Sequence, residues 1–142
     1  MRYSIISGLA AVCCRAGIAE ATEIVRSGAA EAAIAATVTV PADARLTYVS
    51  GTVPDAVDPA AAQGSVERFG DTEAQTRSVL GKIEAVLKGQ GLGMGDVVMM
   101  RGYKAYFGTA AQPLKPARST MQVAGLVDPG WLVEIEVTAA RK

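Results

Sequence analysis

Apolar and polar positions alternate in short runs along most of this chain, and one stretch departs from that pattern with a helical period. Runs rich in alternating or β-branched residues at 22–26, 37–40 and 46–50 predict strands. The turn Pro41-Ala42-Asp43-Ala44 separates the last two, and together they read as a hairpin leading into Gly51. Residues 53–70 carry Pro54, Pro59, Gly64 and Gly70 with little periodicity, which predicts a long surface loop of the kind that often borders a site. Asp71 then caps a helix in which Ala74, Val79, Leu80, Ile83, Val86 and Leu87 form one apolar stripe, and Gly89 ends it. A stripe of that width needs a sheet to lie on.

The glycines at 89, 91, 93 and 95 superficially resemble a phosphate-binding loop. Such loops follow a strand and open a helix, whereas this run closes a helix and precedes the strand expected over 97–100, so a C-cap and turn is the reading. A short helix over 102–107 and a polar connection through Pro113 and Pro116 lead to two last strands, 119–124 and 132–138, with the turn Asp128-Pro129-Gly130 between them. Period-two alternation puts Val133, Ile135 and Val137 on one face of the last strand and Leu132, Glu134 and Glu136 on the other.

A length of 142 residues allows one domain with a real core. Lys and Arg together number 14, as do Asp and Glu, and aromatic residues are few, so the footprint of a nucleic-acid binder is missing. The first residues read differently from the rest. Arg2 opens an almost uncharged run over 3–14, followed by the small residues Ala16, Gly17, Ala19 and Ala21, as in a secretory signal peptide. Residues 1–21 are therefore expected to be a signal peptide and 22–142 the domain, placed in the periplasm or secreted, with no membrane association once the leader is removed. Arg15 interrupts the leader pattern and keeps open a buried N-terminal helix in a cytoplasmic protein. Both cysteines, Cys13 and Cys14, fall inside the leader, and adjacent Cα atoms about 3.8 Å apart sit closer than a disulfide prefers.

Histidine is absent, so Ser-His-Asp and Cys-His machinery cannot be assembled and the commonest zinc and iron ligand is missing. Acid–base chemistry falls to carboxylates, lysines, tyrosines, backbone groups or a held water. Glu134 and Glu136 share a strand face that is either a solvated exterior or one wall of a site containing a cation. Arg118 precedes the neighbouring strand, where a guanidinium suits bidentate capture of a carboxylate, or is simply a surface arginine.

Five segments in order resemble one family. They are Tyr48-Val49-Ser50-Gly51-Thr52-Val53-Pro54, the helix start Asp71-Thr72-Glu73-Ala74-Gln75-Thr76, Gly91-Leu92-Gly93-Met94-Gly95-Asp96-Val97-Val98, Pro116-Ala117-Arg118-Ser119, and Val133-Glu134-Ile135-Glu136-Val137. Together, over about 34–138, they resemble the RidA (YjgF/YER057c/UK114) family. The resemblance implies an α+β, chorismate-mutase-like fold, a mixed sheet backed by two helices, assembled as a homotrimer with ligand clefts between subunits. It also implies hydrolysis of enamines and imines of small 2-imino acids to 2-keto acids and ammonia, with no cofactor or metal. Arg118 would bind the substrate carboxylate, Glu134 would orient or activate the water, and Gly51 with its neighbour Ser50 and Thr120 would hold the substrate. An electrophilic imine needs positioning and a water rather than a strong nucleophile.

Three departures accompany the match. Thr120 stands where many members have cysteine, and Ile34 where deaminating members have a tyrosine. Between Met100 and Arg101 the chain skips a segment that in relatives completes a strand and starts the second helix, so that helix is expected to be shortened. These departures keep two alternatives in view: a non-catalytic module binding small carboxylates or 2-keto acids, and a degenerate paralogue with an interaction role.

Overall fold

A computed structural model describes residues 21–102 and 112–142. Its centre is a four-stranded mixed sheet in the order β3 (Arg45–Thr52), β6 (Ile135–Arg141), β4 (Val97–Arg101), β5 (Ala117–Ser119). The last strand of the chain is thus inserted between two earlier ones. β6 runs antiparallel to both neighbours, and β5 pairs parallel with β4. The expected α+β class and mixed sheet are observed.

Helix α2 (Thr72–Gly89) covers one face, and its sequence dictates both ends. The Asp71 carboxylate accepts the Ala74 N–H at 2.9 Å, satisfying one of the donors that a helix start leaves free. At the other end Gly91 adopts φ +70°, Leu92 N–H donates to Leu87 O at 2.9 Å, and Gly91 N–H donates to Lys88 O at 3.0 Å. That pair of bonds is a Schellman cap, so the glycine run closes the helix as its position in the pattern implied. Val79, Leu80, Ile83 and Leu87 pack on Val49, Met100, Ile135, Val137 and Ala139 of the sheet. Val86, placed in the stripe by sequence, is exposed instead, and Gln75 and Thr76 are buried with the apolar residues.

Several expectations are corrected. Residues 37–40 do not form a hairpin with 46–50. β2 (Thr37–Thr39) pairs antiparallel with β1 (Val25–Ser27) in a separate two-stranded sheet, and β3 pairs with β6. The turn after Pro41 therefore passes from one sheet to the other, because β3 buries Val49 against the helix only beside β6. The long loop contains a one-turn helix, α1 (Val66–Phe69), capped by the Ser65 hydroxyl; Arg68 donates back to Pro59 O and Ala61 O. β5 ends at Ser119 rather than extending to 124, and β6 begins at Ile135 rather than 132. The short helix expected over 102–107 lies, beyond Gly102, outside the described residues, as does the leader up to residue 20.

The face of the sheet away from α2 is partly exposed among the described residues. Leu46 and Tyr48 are 43% and 73% exposed there, beside half-buried Met99, Glu136 and Thr138.

Candidate functional site

At the end of the sheet where β6 begins, the strand alternation read from sequence holds. Val133, Ile135 and Val137 are buried, while Glu134 and Glu136 face outwards. Opposite them β3 carries an irregularity: Val49 pairs with Val137, but Thr52, not Gly51, pairs with Ile135. Ser50 and Gly51 thus together oppose Glu136, the two-against-one count of a β-bulge, a device that often re-aims groups beside a site. Its effect here is a close approach. A Cβ on Gly51 would lie 1.9 Å from Glu134 Oε1, so the carboxylate occupies space that only a glycine leaves free.

On the other side of β6, Arg101 pairs directly with Glu136, and its guanidinium donates to the Glu136 carboxylate. Glu134 forms no ion pair among the described residues, whereas Glu136 is paired with a cation. Gly102 follows at φ +132°, a conformation other residues rarely adopt, and its carbonyl accepts the Thr120 hydroxyl at 3.0 Å while its N–H donates to Ser119 O at 3.1 Å. This ties the ends of β4 and β5 together and brings Thr120 to the Glu134 side.

These groups belong to a cleft of 920 Å³ whose lining includes Gly51, Arg101, Thr120, Glu134 and Glu136. Apolar residues also line it, with Met121, Val123, Leu126, Trp131 and Leu132. Buried Gln75 supports that lining: its amide donates to Gly70 O at 3.0 Å and Gly130 O at 2.9 Å, and its carbonyl accepts the Leu132 N–H at 2.8 Å. The bonds to Gly130 and Leu132 hold the segment that delivers Glu134, and the bond to Gly70 ties it to the start of α2. Trp131 meets Phe69 edge-on, with ring centroids 6.1 Å apart, so the loop before α2 backs the cleft.

The model of a family described as endoribonuclease L-PSP matches residues 28–141. The chain belongs to this family, the Rid (YjgF/UK114) proteins. Its solved relatives include the Rid-family protein YyfB from Yersinia pestis, described as of unknown function. That protein is 25% identical with a TM-score of 0.56, over 77% of this chain and 87% of that one. The YjgF gene product from E. coli is 27% identical at TM-score 0.50, over 68% of this chain and 81% of that one. E. coli TdcF with bound serine has TM-score 0.53 at 24% identity, over 72% and 85% of the two chains, and shows the shared fold.

Within this Rid fold, Gly51, Thr120 and Glu134 of the site expected from sequence converge on one cleft. Ser50 sits in the bulge but is not a lining residue. Arg118 is also absent from the lining: in β5 it is in register with Met100, a 2% exposed core residue, so it extends from the helix-side face, and its Nε is buried with no hydrogen-bond partner among the described residues. Ile34 lines a separate 180 Å³ cavity beside Arg26 and Lys115. There the Arg26 guanidinium donates to Gly95 O and Val97 O, and burial lowers its pKa against the opposing pull of Asp96.

Sequence reasoning missed Arg101 and Gln75 as parts of the site. Arg101 stood at a junction in the family match, and only the β4–β6 register gives it a partner. For Gln75 a signal existed, since it lies four residues before Val79 inside the apolar stripe, where a polar side chain must find partners.

Proposed function

We propose that this Rid protein hydrolyses small 2-imino acids and their enamine tautomers to 2-keto acids and ammonia. The observation that carries this reading is the convergence of Glu134, Gly51 and Thr120 on one cleft that a guanidinium also lines. The Glu134 carboxylate, which forms no ion pair among the described residues, accepts a proton from water as the water oxygen adds to the imine carbon; that proton is returned to the nitrogen, and the carbinolamine hydroxyl gives up its own proton to the nitrogen as the C–N bond breaks, releasing ammonia and leaving the ketone. Backbone groups at Gly51 and Thr120 hold the substrate beside that water, and a guanidinium holds its carboxylate, the part the family resemblance gives to Arg118. The formal net charge of zero offers no comparable support for the ribonuclease named in the family description.

Assembly of copies as a trimer is part of the same reading. The exposure of Leu46 and Tyr48 on the sheet face away from α2 is consistent with such a contact. Export behind the 1–21 leader is retained as well.

The test generates 2-iminopropionate in situ and follows its decay with wild type and Glu134→Gln. Acceleration by wild type, lost by at least 100-fold in Glu134→Gln, is the expected result. If wild type gives no acceleration yet binds pyruvate, hydrolysis is refuted and a carboxylate-binding module remains.

A further inference from the structure

We propose that the cleft is built for 2-imino acids with a large apolar side chain, branched or aromatic, and that Leu132 and Trp131 select it. The inference rests on the proposed reading of the cleft and narrows its substrate class; the place of the substrate carboxylate in that reading is unchanged.

The register of the sheet puts the charged groups on one side of Glu134. Glu136 is level with Arg101 and Ser119, and Val137 with Met100 and Arg118, so both arginines lie beyond Glu134 in the direction in which β6 runs. In the other direction the chain alternates exposed Leu132, buried Val133 and exposed Glu134, which sets Leu132 on the face of Glu134. Among the described residues Arg101, Glu134 and Glu136 are the charged members of the lining, and none lies on the Leu132 side. An imine carbon beside Glu134, with its carboxylate toward β5, therefore leaves the Leu132 side for its side chain.

The lining is suited to hydrocarbon. Leu132 is 46% exposed, and Met121 and Val123 are 66% and 58% exposed, so apolar surface faces water in this cleft until a ligand covers it. Trp131 is half-buried, and its indole nitrogen is among the buried atoms, so what it shows the cleft is ring carbon. Its position is fixed from behind. Phe69 meets it edge-on, and Gly130 lies so close to α1 that a Cβ there would be 2.5 Å from Ser65 O. A rigid aromatic surface takes up a side chain at little entropic cost.

Size points the same way. An extended chain advances about 3.3 Å per residue, so Leu132 stands about 7 Å from Glu134. Apolar atoms touch within about 4 Å, a gap that the single methyl of 2-iminopropionate, reaching about 1.5 Å, does not close and that an isobutyl or benzyl group does. The 920 Å³ of the cleft is also at the upper end of the range, about 300–1,000 Å³, that holds drug-sized ligands.

The test compares ligands that differ only in that side chain. Dissociation constants for pyruvate and 4-methyl-2-oxopentanoate are measured by calorimetry. Hydrolysis of the two corresponding imines, generated in situ from alanine and leucine by an amino-acid oxidase, is followed as acceleration over the spontaneous rate. Wild type is compared with Leu132→Ser and with Val86→Ser, an exposed apolar control on α2. Each buried carbon is worth about fourfold, so three added carbons set a ceiling of about 60-fold, and an open cleft should deliver a preference of about 10-fold or more for the larger keto acid. Leu132→Ser should cut that preference by about 3- to 10-fold, and Val86→Ser should leave it intact. Equal or weaker binding of 4-methyl-2-oxopentanoate by wild type overturns the proposal, whether or not the imines are hydrolysed. Preference for the larger keto acid without acceleration of either imine sinks hydrolysis and leaves the apolar site standing. If a second copy of the chain covers Leu132 instead, Leu132→Ser alters sedimentation and leaves the preference as it was, which also overturns the proposal. Should Leu132→Ser fail to fold, Leu132→Ala takes its place with the same direction expected.

Discussion

Replacing Gly51 by alanine should separate activity from stability. The added Cβ would sit 1.9 Å from Glu134 Oε1 and 2.9 Å from its Cδ, against an ordinary contact of 3.4 Å or more, so the carboxylate must withdraw by about 1.5 Å. Glu134 is exposed, so it can move. An off-rotamer side chain costs about 0.5–1.5 kcal/mol, and glycine in a strand costs about 0.5–1 kcal/mol relative to alanine, so the two terms nearly cancel. Stability should stay within about 1 kcal/mol of wild type in a urea titration. Hydrolysis should not survive so well, because misplacing a positioned group by about 1 Å can cost about 100-fold in rate. The assay is kcat/KM on 2-iminopropionate generated in situ, and the same substitution in a Glu134→Gln background should cost little more, since both changes act on one group. Wild-type kcat/KM in folded Gly51→Ala would refute the assignment of Glu134 to the water.

The remaining predictions concern the scaffold and the N-terminus. Gln75→Leu leaves Gly70 O, Gly130 O and Leu132 N–H without their partner in a buried place, so unfolding free energy should fall by about 2–4 kcal/mol by urea titration, and hydrolysis should fall with it as the Glu134 segment loosens. Ile83→Ala, at a position with no exposure between α2 and the sheet, should cost about 2–5 kcal/mol in the same measurement. Asp71→Ala removes the cap bond to Ala74 and should cost about 1 kcal/mol, read as a lower midpoint with unchanged slope. Mass spectrometry of the protein recovered from an exporting host should find a first residue between 19 and 22, and an intact Met1 would overturn the leader assignment.

What the sequence determined by itself is the local and periodic part of this protein. The limits of α2 follow from Asp71 and the glycine run that starts at Gly89, whose effects act within a turn of chain, although the residue that takes the positive φ is Gly91. The inward set Val133, Ile135 and Val137, with the glutamates opposite, follows from the two-residue period of a strand, which needs no partner to be read. The family motifs likewise marked Gly51, Thr120 and Glu134, which the fold then brought to one cleft.

Register and strand order were decided only by the tertiary structure. No local feature of 37–40 says that it pairs with 25–27 rather than with 46–50, because that choice is settled by where Val49 can be buried. Nor does any local feature say that Arg101 meets Glu136, 35 residues away along the chain, or that Arg118 shares a face with Met100. A shift of one residue in either pairing would move each arginine to the other side of the sheet. The arginine that sequence motifs single out and the one that lines the cleft therefore differ, since a motif records which residues occur together while the sheet decides which way each one points.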